Sequence, residues 1–150
     1  MTARLNPYAA SPKGFKPMMD LENHVKSSKL EPTLIELVKM RASQINGCAF
    51  CLDMHSRDAR AHGETEQRLY VLPAWRETTL FTPRERAALE WTEVLTLIAD
   101  THAPDEAYDT ARAAFDEGEL TDLTLLIGTI NIWNRVAIGF RMPLPLHKAA

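Results

Sequence analysis

No block of like charge runs through this chain: 17 basic and 20 acidic residues are interspersed and leave a net charge of −3. A basic face for phosphate is therefore missing, which argues against nucleic acid as a partner. Long apolar runs are missing too. Residues 1–16 contain none, so no secretory signal is expected. The most apolar stretch, Leu123 to Phe140, is interrupted by Thr124, Thr129, Asn131, Asn134 and Arg135. A bilayer span would have to bury all five, so this stretch reads as a core helix and no membrane association is expected. Alternating β-branched and aromatic runs between turns are also absent, which removes strands from the expected fold. Cysteine is scarce, with two residues in 150. Without an export signal the expected compartment is the reducing cytoplasm, where a purely structural disulfide would not persist.

What is present has helical period throughout. Apolar residues make up 45% and charged residues 25%, normal for one soluble domain, here residues 1–150. Residues 1–13, with Pro7 and Pro12, read as an extended arm that Leu5, Tyr8 and Phe15 would pin to the body or a neighbouring subunit. Helical pattern starts near Gly14. A helix opening at Pro32 carries one apolar stripe, Leu34, Leu37, Val38, Ala42 and Ile45, and stops at Gly47. The next runs from Cys48 to His62 and ends on Gly63. Thr65 caps a further helix that Pro73 bends or ends. Thr82-Pro83-Arg84-Glu85 has the form of a capping box. Pro104 opens a helix closed by Gly118, and Thr121 caps the last one. The expected fold is an all-α, single-domain bundle of about six or seven helices.

The chemistry-bearing segment is Glu36 to His55, with Cys48-Ala-Phe-Cys51 at its centre. Two cysteines three apart can close a small disulfide. Gly47 just before them suggests a helix start, where free N–H groups and the dipole favour a thiolate. His55 is four residues after Cys51 and seven after Cys48, which puts all three on one helical face, where an imidazole can carry a proton to or from sulfur. Haem attachment needs His directly after the second cysteine, and Leu52 stands there. A thioredoxin fold needs a preceding strand, and the preceding segment is helical. Zinc held by Cys48, Cys51 and His55 is the main rival, although no second Cys/His pair completes a closed site. Inert buried cysteines are the bland alternative. Taken alone, Glu36 is a carboxylate paired with Lys39 one turn on.

The segment from Glu36 to Ala61 resembles the signature of the alkylhydroperoxidase D-like branch of the carboxymuconolactone decarboxylase family. Further likeness lies in Glu64 to Leu69, Trp75-Arg76-Glu77, the helix around Trp91, and Asn131-x-Trp133-Asn134-Arg135. The resemblance implies an all-helical subunit, a homotrimer or homohexamer, and a thiol-dependent peroxidase without cofactor or metal. It implies catalytic roles for Cys51, Cys48, His55 and Glu36, the last two as a proton relay. It also implies a hydroperoxide substrate and a dithiol reductant of lipoyl or thioredoxin-like type. One position departs: well-known members carry a second histidine just before the second cysteine, where this chain has Phe50. Phenylalanine relays no protons and is expected to pack beside the site. Two other functions fit the same fold, a redox-responsive binding protein and a decarboxylase or lactone enzyme. Of the two sulfurs, Cys51 is expected to attack because His55 is one turn away, with Cys48 resolving at the exposed end of the motif. The remaining residues take quieter roles. His62 reads as a helix C-terminal cation, Asp53 as a first-turn carboxylate, and Trp133, Asn134 and Arg135 as structural. His24, His102 and His147 receive no role.

Overall fold

The computed structural model describes residues 2–146, so His147 lies outside the described residues. Among these residues there are nine α-helices, one 3-10 segment and no strand. The excess over the expected six or seven comes from two single-turn helices too short to show a period. In chain order, α1 spans Pro7–Ala10, α2 Pro12–Lys26, α3 Pro32–Asn46, α4 Ala49–Ala61 and α5 Glu66–Val71. A 3-10 segment, Leu72–Glu77, leads to α6 (Pro83–Thr96), α7 (Ile98–Thr101), α8 (Asp105–Ala114) and α9 (Glu117–Phe140).

The prolines that suggested an extended arm are helix starters instead. Pro7 and Pro12 begin α1 and α2, where the missing N–H costs nothing. Asn6 caps α1 by accepting from the N–H groups of Tyr8 (3.1 Å) and Ala9 (3.2 Å). The arm is thus extended only up to Asn6. Two boundaries near α9 also differ from expectation. Asp116, not Thr121, caps α9, in a capping box with Glu119. Gly118 lies in the first turn of α9 rather than closing α8, because the cap two residues earlier already satisfies that turn. Thr65, Thr82 with Glu85, and the break at Pro73 fall where their chemistry puts them.

Helix α3 is the axis of the bundle, packed against α4, α6 and α9. It is buried on all sides from Leu34 to Met40, not along one stripe, which is the pattern of a central helix. Leu34, Val38, Trp91, Leu123 and Ile127 form one core cluster; Leu37, Leu72, Trp75 and Leu89 form a second. Being central, α3 buries Glu36 and Lys39 too (5% and 1% exposed), and both need partners.

Helix α9 is long and apolar enough, by length and composition alone, to cross a membrane, and 44% of its most apolar stretch is buried inside the protein. Its interrupting polar groups are all bonded. Thr124 and Thr129 donate to carbonyls one turn back. Asn131 donates to the Ile127 carbonyl and to Thr96, Asn134 donates to Ser43, and Arg135 donates to the Asn131 carbonyl. Asn46, the last residue of α3, donates to Asn131 (2.9 Å) and Asn134 (2.8 Å). These bonds tie the end of α3 to α9, immediately before the cysteines. The structural role expected of Asn134 takes this form, while Arg135 bonds within α9 to the carbonyl and side chain of Asn131.

Candidate active site

The turn between α3 and α4 builds the site. Gly47 closes α3 in the left-handed conformation (φ 67°), a region where a Cβ is strained. The Cys48 N–H then bonds back to the Ser43 carbonyl at 3.0 Å, and the chain reverses into α4. Cys48 is the N-cap of α4 rather than its first residue: its sulfur accepts from the Cys51 N–H at 3.3 Å. Cys48 and Cys51 are joined as a disulfide, with Cα atoms 5.4 Å apart. Both are buried, at 1% and 2% exposure. The expectation of an exposed Cys48 is therefore corrected, because the N-cap folds that side chain under the first turn of α4, against Cys51 and Ala137.

One turn beyond Cys51, His55 reaches across to α3. Its Nδ1 lies 2.9 Å from Oε2 of Glu36, both residues 5% exposed, and 3.8 Å from the half-exposed Asp58. With Nδ1–H donating to the carboxylate, Nε2 is left as the basic nitrogen of the ring. Glu36 does not pair with Lys39. The Lys39 ammonium points to α2 and meets Glu22 at 2.6 Å. Glu22 also faces Lys26 at 3.4 Å and accepts from the Trp133 indole N–H at 3.2 Å. Burial works against ionising Glu22, but the ammonium groups of Lys39 and Lys26 outweigh it and hold the carboxyl below its ordinary range.

These two networks face a common cavity of about 260 Å³, lined by Glu22, Cys51 and His55 together with Tyr8, Phe50, Met54 and Trp133. The exposed surface of the cavity is mostly apolar, and Lys26 and Asp58 join Glu22 and His55 as its charged or ionisable groups, a composition compatible with a small-molecule site. Phe50 packs beside the disulfide, as expected for that position. With both sulfurs joined, the cysteines offer no thiolate to a metal. Glu36, His55 and Asp58 bring ligand atoms within 4.8 Å of one another and are the side chains that could hold a cation here. Glu22, Lys39, Met54 and the lining role of Tyr8 were not legible as site features in the sequence. Glu22 and Lys39 lie on different helices, and no spacing links them. His24, left without a role, pairs with Asp122 at 2.8 Å on the surface.

The helices of the described residues have an alkylhydroperoxidase D-like fold, as the likeness to solved structures shows. The chain belongs to the carboxymuconolactone decarboxylase family, which matches residues 12–94. It is 50% identical over 139 residues to the uncharacterized protein YdfG of Bacillus subtilis (strain 168), covering 93% of this chain and 95% of that one. The crystal structure of ATU0492 from Agrobacterium tumefaciens, a protein of unknown function and candidate antioxidant defence protein AhpD, superimposes with a TM-score of 0.94. That pair is 49% identical, over 97% of this chain and 100% of the other. An uncharacterized peroxidase-related protein from Silicibacter sp. TM1040 shares the fold at TM-score 0.80 and 23% identity, over 92% of this chain and 73% of that one.

Proposed function

We propose that the protein is a thiol-dependent peroxidase in which Cys51 and Cys48 cycle between dithiol and disulfide. The observation that carries this reading is the meeting of Cys51 and His55 on one apolar cavity, with His55 held by Glu36 at 2.9 Å. In the reduced protein, His55 takes the Cys51 proton through its free nitrogen, and Glu36 stabilises the imidazolium. The thiolate attacks the terminal peroxide oxygen and the O–O bond breaks. The alkoxide leaves as an alcohol, carrying the proton from His55. Cys51 is then a sulfenic acid, which the Cys48 thiol attacks to form the disulfide and release water. A dithiol donor, of lipoyl or thioredoxin-like type, restores both thiols by exchange and is itself oxidised. No metal or other cofactor enters these steps. The likeness to a candidate antioxidant defence protein AhpD supports an antioxidant role; a reducing compartment such as the cytoplasm and a homo-oligomeric state are parts of the proposal that rest on the sequence resemblance.

The test is mass spectrometry of the fully reduced protein before and after one equivalent of an organic hydroperoxide. The expected result is the loss of two hydrogens' mass, confined to the peptide holding Cys48 and Cys51, and steady peroxide consumption when a dithiol is supplied. Disulfide formation without turnover would instead indicate a redox-responsive binding protein. A lactone or decarboxylase activity that survives replacement of both cysteines would move the chemistry elsewhere in the family's range.

A further inference from the structure

We propose that Tyr8 and Trp133 form an aromatic wall that selects the organic group of the hydroperoxide, favouring an aryl group over a small polar peroxide. The inference rests on the peroxidase reading of Cys51 and names the substrate class of that same cavity. Size is the first argument. A water molecule's share of liquid volume is about 30 Å³, and an apolar cavity of about 150 Å³ holds benzene. At about 260 Å³ this cavity has room for an aryl ring with its substituents and is far larger than hydrogen peroxide requires.

Shape is the second. Tyr8 and Phe15 have ring centroids 4.5 Å apart, Phe15 and Trp133 6.0 Å, and Tyr8 and Trp133 6.4 Å. Their planes differ pairwise by 42°, 27° and 31°: Phe15 and Trp133 are stacked, Tyr8 is tilted against both, and no pair is edge-on. Tyr8 and Trp133 line the cavity and Phe15 buttresses both. A guest ring can stack on that surface, and hydrogen peroxide gains nothing from it.

The wall is also fixed in advance. The Trp133 indole is tied to Glu22, which the buried Lys39 holds in turn. Tyr8 arrives on α1, and the segment before it is anchored to the end of α9: the Arg4 N–H bonds the Phe140 carbonyl at 3.0 Å and its guanidinium the Gly139 carbonyl at 2.9 Å. A preformed wall spares a ligand the cost of ordering it. It also gives the buried Lys39–Glu22 pair, which lies outside the Glu36–His55 relay, a part to play: it holds the acceptor of the Trp133 N–H in place.

The probe is 2-phenyl-2-propanol, the unreactive alcohol that cumyl hydroperoxide would leave, titrated calorimetrically into the full-length oxidised protein. Tyr8 is 41% exposed, so Tyr8→Ala removes a panel of the wall without opening the core. The wild type and Tyr8→Phe should bind the alcohol alike, and Tyr8→Ala about tenfold more weakly. The ratio of kcat/KM for cumyl hydroperoxide to that for hydrogen peroxide should fall by a similar factor in Tyr8→Ala, through KM. Equal binding by wild type and Tyr8→Ala, no binding by either, or a Tyr8→Phe variant as weak as Tyr8→Ala would overturn the proposal. Tyr8-dependent binding of the alcohol with no turnover of either peroxide would keep the aromatic site and overturn the peroxidase reading instead.

Discussion

Glu36 and Lys39 stand one turn apart on α3, oppositely charged, and do not pair. Glu36 takes His55 of α4 and Lys39 takes Glu22 of α2. The ordinary i, i+3 attraction between exposed helical charges is worth a few tenths of a kcal/mol. For a helix buried on all sides, each charged group needs its own fully satisfying partner, and that requirement dominates. One helix thereby sends an acid toward the sulfurs and an ammonium toward the cavity's aromatic wall.

The first prediction follows from the acid. Glu36→Gln leaves a hydrogen-bonding group near His55 but removes the charge that stabilises the imidazolium and fixes its tautomer. Peroxide-driven disulfide formation should slow by about 10²-fold, within the usual range for positioned acid–base groups. Stopped-flow mixing of reduced protein with organic hydroperoxide gives the rate. A rate within a factor of two of wild type would remove Glu36 from the relay.

The ammonium gives the second. Glu22 has its folded-state pKa depressed, so the stability it supplies is present above its unfolded pKa and is lost as pH falls through the folded one. Wild-type stability should therefore fall on acidification below the normal glutamate range, about pH 4, more steeply than that of Glu22→Gln. Lys39→Met leaves Glu22 with the exposed Lys26 and the Trp133 N–H as its partners and should cost about 3 kcal/mol at neutral pH. Urea unfolding at a series of pH values measures both. Parallel pH profiles for wild type and Glu22→Gln would contradict the assignment.

How much of this was legible in the sequence depends on range. Local signals served well: Thr82 with Glu85, Thr65, Pro73 and Gly47 each act through neighbours within four residues and fall where expected. Pro7 and Pro12 misled because the same residue either breaks a helix or begins one, and the cap that decides, Asn6, lies outside the apolar pattern. Cys48, Cys51 and His55 share a face by spacing alone. The Glu36–His55 contact was reached through the family resemblance and not through spacing. Glu22, 17 residues from Lys39 and 111 from Trp133, had no local signature.

The third prediction concerns the turn. Gly47 has φ 67° with open space around it, so an added Cβ meets no neighbour and only the backbone is strained. Gly47→Ala should destabilise the protein by about 1–2 kcal/mol in either redox state. Denaturant titration of the oxidised and reduced forms checks this. A much larger loss confined to one form would tie the turn to the redox cycle as well.

A fourth concerns assembly. Leu125, Ile132 and Ile138 on the last helix, α9, are each between 38% and 47% exposed and are the side chains a subunit contact there would cover. A trimer or hexamer is expected, as the family resemblance implies. Multi-angle light scattering at micromolar concentration should report three or six times the chain mass of 16.9 kDa. A strict monomer would contradict it.

The last prediction assigns the two sulfurs. Two effects compete. Cys48 sits at the N-cap of α4 and already accepts from the Cys51 N–H at 3.3 Å, so the helix start favours a thiolate there. Cys51 has His55 one turn along the same helix and, with it, lines the cavity that the proposed peroxide would enter. Burial is nearly equal at the two sites, 1% and 2%, so desolvation does not separate them. Dipole stabilisation lowers a thiol's pKa but supplies neither a base to take the proton nor a path for the substrate. Access and the adjacent imidazole therefore decide, and we propose Cys51 as the attacking sulfur. Cys48→Ser and Cys51→Ser variants should be treated with one equivalent of hydroperoxide in the presence of a sulfenic-acid trap. Rapid labelling is expected in Cys48→Ser and little in Cys51→Ser. The opposite pattern would exchange the roles and show that the helix start outweighs the cavity. Labelling in neither variant would remove the sulfenic intermediate, and the peroxidase reading with it.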